Sequence, residues 1–434
     1  MSINSLIIRK SLISITWLSF FMSINLNPIE FDTFDVIERL RILFPFLLII
    51  ILIILIKKID YTALMKADFL ILNFIFLSYF FFNIYNTDNS NINLFWPVYM
   101  FLSLFFVVSI LDQKERKYLI KLTILIIFFA FIFYFSFSVY QMVLSKNFNF
   151  YGVMGDIKGY GGLRYPPRSS GLARMSLILS SFFFLLFVLN NLKNYQKLLI
   201  LIITILSTIT ILYQSRTASF IWIIISMSIF FFYFDVIRNK LRIFFLIIVI
   251  PIIVGSCYQY LKQDLDDHIK KTQTRENYSF KFSEININDI KNSTRSTIIR
   301  NTDSNNYSSG RFQNWVKTYE LIKKAPFVGN GAQADRIILN QSVHNAFLYS
   351  FISGGAVAGF LFLFIYLRTS YFFVMYLFSK SLKSHFDLSF SIILIIILNL
   401  RSILETSFAV YGIDYLIFIL IFSNLSNYFS KKNE

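Results

Sequence analysis

The chain has 434 residues, 56% hydrophobic and 19% aromatic against 15% charged. That is too apolar for a soluble domain, and uncharged runs long enough to cross a bilayer recur along it. A transmembrane β-barrel is excluded as well, because its strands need every second residue polar, whereas FPFLLIIILIILI and LTILIIFFAFIFYFSFSVY are apolar on all sides. The formal net charge of +17 does not imply nucleic acid, since Lys and Arg of membrane proteins gather on the cytoplasmic side and their placement matters more than their sum.

In chain order, hydropathy predicts spans near 11–26, 42–56, 68–85, 94–111, 119–143, 172–189, 197–213, 217–234, 241–259, 354–378, 386–404 and 411–428. The fold class is therefore all-α, a polytopic integral membrane protein of about twelve transmembrane helices. The first apolar run has no small-residue cleavage site after it and reads as a retained span. Cys257, alone, permits neither an intramolecular disulfide nor a cysteine metal site. Alternate connections are rich in lysine, as at Lys57, Lys58 and Lys66, at Lys114, Lys117 and Lys121, and at Lys431 and Lys432. Both termini are accordingly expected in the cytoplasm. The chain divides into membrane helices one to nine over 1–259, a large periplasmic loop over 260–353 between the ninth and tenth spans, and helices ten to twelve over 354–434.

Basic residues on the opposite side are nearly all arginine near the bundle. GGLRYPPRSSGLARM supplies Arg164, Arg168 and Arg174, YQSRTASF supplies Arg216, and NLRSILETSF supplies Arg401. A guanidinium buried at a helix end needs a compensating anion or carboxylate. Several arginines together suit a bidentate anion such as phosphate, because the planar fork matches its oxygens. Arg401 and Glu405 are four residues apart and would share a helix face, so they are expected to pair or to touch substrate. Asp414, at the start of the last span, reads as a cap or as an acceptor for a sugar hydroxyl.

Residues 272–309 are rich in Asn, Ser and Thr and weakly periodic. SSGRFQNWVKTYELIKKAPF then reads as a helix, capped at Ser308 or Ser309, with Trp315, Tyr319 and Ile322 on one face, Lys323 and Lys324 in its last turn and Pro326 as its stop. Arg311 lies one turn before Trp315. The glycine turn FVGNGAQADR leads to a short segment beginning at His344, a break at Gly354 and Gly355, and a span. Trp315 and Tyr319 are candidates for stacking on sugars, although core packing is the commoner fate of such a stripe. Asp264 and Asp266 form an Asp-x-Asp pair of the metal-holding kind, but no partner ligands are evident and no metal or cofactor is expected. His268 and His385 read as surface residues.

SRT at 215–217, SGRFQNW and IKKAPFVGNG within 309–331, and HNAFLYSFISGGAVAG at 344–359 together resemble the O-antigen polymerase and O-antigen ligase family. The resemblance is best from about residue 160 to 420. It implies a bacterial inner-membrane glycosyltransferase acting on sugars carried by undecaprenyl pyrophosphate, with outer-face arginines holding the pyrophosphate and the His-Asn histidine in catalysis. Carried over, these roles fall on Arg216, Arg311 and His344; Arg164, Arg168 and Arg174 are added as pyrophosphate ligands and Asn345, with Trp315, as a substrate contact. The expected partners are the lipid-linked oligosaccharide, membrane lipids and a chain-length regulator. RSSGLAR and RSILETSFAVYGID look more like the polymerase branch than the ligase branch.

The chemistry agrees with those residue types. When an acceptor hydroxyl attacks the anomeric carbon, the departing pyrophosphate gains negative charge, and prearranged arginines stabilise it without a metal. A general base must be neutral near working pH, a state that neighbouring arginines would favour at His344. A transporter of the same lipid-linked sugar is the rival class. It would place charges near the bilayer midplane and show repeated halves, whereas only Arg368 lies deep in a predicted span and no repeat is visible.

Overall fold

A computed structural model describes residues 3–24, 35–55, 59–85, 95–145, 169–189, 193–234, 311–339, 342–379 and 385–433, together with 237, 249, 250, 253, 257 and 383. The helices are α1 (Ile3–Ile24), α2 (Asp35–Leu55), α3 (Ala67–Tyr85), α4 (Phe95–Phe105), α5 (Gln113–Ser145), α6 (Ser169–Leu189), α7 (Asn194–Gln214), α8 (Arg216–Phe232), α9 (Arg311–Lys324), α10 (Ala334–Ile338), α11 (Ala346–Phe378), α12 (Phe386–Leu404) and α13 (Ile413–Asn433). No strand occurs among the described residues. Seven helices are long and apolar enough to span a bilayer, namely α1, α5, α6, α7, α11, α12 and α13, and four shorter apolar helices accompany them. The protein is thus all-helical and built as a polytopic membrane protein. Most of the expected ninth span and of the long loop lies outside the described residues, as do Asp264, Asp266, His268, Ser308 and Ser309.

The outward faces of these helices are apolar, as at Ile54, Phe129 and Phe360, where an aqueous protein would place charge. Inside, α6 and α13 are the most enclosed. α13 packs on α5 and α12, α11 on α3 and α12, and α6 on α5, α7 and α8. Aromatic rings join the last three spans: Phe408, in the short turn between α12 and α13, stacks on Phe418 at 4.1 Å between centroids and on Phe362 at 5.1 Å. Rings this close favour offset stacking and fix the turn between the helices it joins.

Several charged groups within the bundle are paired. Arg368 of α11 forks onto Asp68 of α3 at 3.1 Å, and Ser426 of α13 donates to the same carboxylate at 2.7 Å. Arg116 donates to the carbonyls of Val107, Val108 and Leu111, closing the π-helical turn Phe106–Ile110 that follows α4. Arg9 forks onto Glu115, joining α1 to α5. These contacts lie toward one end of the bundle; the α12–α13 turn marks the other.

α11 is one helix interrupted at the glycine pair that the sequence marks. Gly354 and Gly355 leave helical geometry, Gly355 with φ +65°. The carbonyls of Ile352 and Ser353, deprived of helical donors, accept instead from the backbone N–H groups of Asn330 at 2.7 Å and Gly331 at 2.8 Å, while Ala356 N donates to Pro326 O at 2.8 Å. The turn after α9 is therefore inserted into the break. Only glycine permits this approach, since a Cβ on Gly355 would stand 2.2 Å from Phe327 O and one on Gly329 would stand 2.4 Å from Gly355 N.

Candidate functional site

Three charged elements meet at the end that carries the α12–α13 turn. α12 brings Arg401 in its last turn and stops at Leu404; Glu405 follows with extended backbone (φ −147°, ψ 166°). That geometry ends the helical register, so Glu405 does not fold back onto Arg401 as the four-residue spacing suggests. Arg401 Nε donates instead to Asp414 Oδ2 at 2.9 Å, and Arg174 Nη1 of α6 reaches Asp414 Oδ1 at 3.5 Å. One buried carboxylate thus serves two guanidiniums, which corrects the expected Arg401–Glu405 pair. The buried Nε of Arg174 has no hydrogen-bond partner.

Glu405 is taken from the other side. Arg311, the first residue of α9, donates from Nη2 to Glu405 Oε1 at 3.0 Å and from Nη1 to Leu404 O at 3.1 Å, with Thr217 Oγ1 of α8 at 3.4 Å. His344 Nδ1 lies 2.8 Å from Glu405 Oε2. Burial pushes the Glu405 carboxyl upward, but the hydrogen bond from His344 and the charges of His344, Arg401 and Arg311 outweigh it and hold the group below the usual carboxylate range. An ionised Glu405 can accept a proton carried on Nδ1, and in the tautomer that donates from Nδ1 it is Nε2 that faces away as the acceptor nitrogen. The group against His344 is therefore a carboxylate, where the sequence led us to expect guanidinium groups.

The loop preceding α11 holds that ring in place. His344 has φ +52°, a left-handed conformation that costs a non-glycine residue about 1 kcal/mol. Before it, Val343 O accepts from Trp315 Nε1 at 2.8 Å and Val343 N donates to Asp335 Oδ2 at 3.1 Å. After it, Asn345 caps α11, its Oδ1 accepting from Leu348 N at 3.0 Å while its Nδ2 donates to Ile403 O at 3.0 Å. Trp315 and Asn345 thus spend their polar atoms on backbone. Tyr319, expected beside Trp315, is exposed and lies under Lys323 Nζ. Asp335 is almost wholly buried, and burial raises its pKa against the opposing charges of Arg336 and His344 and the two backbone N–H groups it accepts from.

Of the arginines expected here, Arg174, Arg311 and Arg401 are brought together. Arg216 opens α8, and its side chain lies outside the described residues; Arg164 and Arg168 lie outside them altogether. The sequence reading did not anticipate Asp335, which spacing alone does not single out, nor Glu405 as the partner of His344. A cavity of about 310 Å³ lined by Lys117, His385, Asp387 and Asn424 lies at the opposite end of the bundle, remote from this cluster. Among the described residues no group of His, Cys, Asp and Glu is arranged to hold a metal ion.

Fold and site together define a polytopic helical membrane protein with a histidine–carboxylate pair set among arginines at one end. The family model described as O-Antigen ligase matches residues 199–363, so that stretch is similar to that family. The matched stretch contains Arg216, Arg311, Trp315, His344 and Asn345, while Arg174, Arg401, Glu405 and Asp414 reach the same cluster from outside it. No curated protein matches the chain.

Proposed function

We propose that the protein is a glycosyltransferase of the bacterial inner membrane that polymerises oligosaccharide repeats carried on undecaprenyl pyrophosphate, working at the periplasmic face. The observation that carries this reading is the gathering of Arg174, Arg311 and Arg401 around the Glu405–His344 pair. In this cluster three guanidiniums face two carboxylates, so an added anion is favoured there.

The acceptor sugar hydroxyl attacks the anomeric carbon of the donor. His344 Nε2 takes the hydroxyl proton, a new glycosidic bond forms, and the bond from carbon to pyrophosphate oxygen breaks with its electron pair leaving on the pyrophosphate. Glu405 stabilises the imidazolium so formed, while the arginines stabilise the departing charge, each well-aimed donor being worth about 3 kcal/mol of barrier. Arg216, Arg164 and Arg168 belong to the same proposal as further pyrophosphate ligands, and Trp315, Asn345 and Asp414 as supports of the site. A chain-length regulator is a proposed partner.

The description of the matching family favours a second reading, transfer of finished glycan to lipid A-core. Donor and arginine site are shared, so the acceptor separates the two. Deleting the gene leaves core plus a single repeat if the product is a polymerase and bare core if it is a ligase, read from the lipopolysaccharide ladder.

A further inference from the structure

We propose that Asp335 is a positioning residue for His344, acting through Val343 as half of a clamp whose other half is the indole of Trp315. The inference rests on the reading of His344 as the proton acceptor. Asp335 Oδ1 accepts from Arg336 N at 2.9 Å and Oδ2 from Val343 N at 3.1 Å, so each oxygen has its own backbone donor. Trp315 Nε1 donates to Val343 O at 2.8 Å. The peptide planes on both sides of Val343 are thereby fixed, one through its N–H and the other through its carbonyl, and the second plane is the one that leads into His344.

His344 needs such a restraint. Its left-handed backbone (φ +52°) is held only when the surroundings determine it, and the ring it aims at Glu405 moves with that backbone. Asp335 is 1% exposed and makes no salt bridge among the described residues, so cation pairing does not account for a carboxylate there. Two divergent N–H donors do account for it. An asparagine has one acceptor oxygen, and its amide would set N–H against N–H at the second.

The test uses the purified full-length chain, with an undecaprenyl-pyrophosphate repeat as donor. Asp335→Asn is expected to lower kcat about 100-fold, the effect of displacing a reacting group by about an ångström, with donor KM nearly unchanged. In a His344→Gln background the same substitution should cause no further loss of the residual rate, because positioning acts only through that ring. Independently of turnover, modification by diethylpyrocarbonate, read by mass spectrometry, should change rate at His344 and stay constant at His385. A wild-type kcat, an equal loss in the His344→Gln background, or parallel changes at both histidines would overturn the proposal. If His344→Gln keeps full turnover, the catalytic reading fails, while the modification rates still decide whether Asp335 sets the ring. Should Asp335→Asn not fold, Trp315→Phe removes the other half of the clamp and is judged by the same two rates.

Discussion

Glu405 holds a histidine on one oxygen and an arginine on the other, and the chemistry at residue scale depends on that division. His344→Gln should slow glycan transfer by about 100- to 10,000-fold across a pH series, leaving a residual rate; undiminished chain growth would reduce the histidine to a structural role. Arg311→Lys should be similarly slow, because an ammonium cannot reach Glu405, Leu404 O and Thr217 together as the planar fork does. Glu405 also has a pH signature. Its carboxyl lies below the ordinary range when folded, so its stabilisation is present above about pH 4 and disappears as pH falls through the lowered value. The melting-temperature gap between wild type and Glu405→Gln should be steady near neutrality and close in acid. His344, Arg311 and Arg174 were legible as site candidates because charge is rare in so apolar a chain. Their partners were not, since carboxylates 61, 94 and 240 residues away leave no periodic trace.

Among the elements, helices were the easiest to read. The predicted span 386–404 coincides with α12, and the segment from His344 to the glycine break takes the expected form in α11. Hydropathy could not show what the break is for. Its carbonyls receive the turn after α9, so Gly355→Ala should destabilise the protein by more than about 1 kcal/mol and loosen α9 from α11, seen as faster proteolysis after residue 311. The Arg401–Glu405 pair misled for a related reason: i to i+4 spacing holds only while the helix continues, and α12 ends between them. Asp414 joins α6, α12 and α13 instead. Asp414→Ala leaves two guanidiniums without their buried carboxylate and should lower stability by about 3–5 kcal/mol, measured as a fall in melting temperature.

At the scale of the whole molecule, we propose from the lysine distribution along the chain that the arginine–histidine end faces the periplasm and the Arg9–Glu115 and Arg368–Asp68 end faces the cytoplasm. A single cysteine introduced at Gln313 in a Cys257→Ser background should react with a membrane-impermeant maleimide in intact spheroplasts; protection there, with labelling only after lysis, would invert the orientation. The central claim is that arginines from separate parts of the chain stabilise a departing pyrophosphate while His344 accepts the attacking hydroxyl's proton. It is tested most directly by incubating the purified protein, in detergent with a metal chelator, with a defined undecaprenyl-pyrophosphate repeat and resolving the products by length. Longer lipid-linked chains from the wild type, formed at least about 100-fold more slowly by Arg311→Lys and His344→Gln, are the result this account requires. Elongation undiminished in both variants would contradict it.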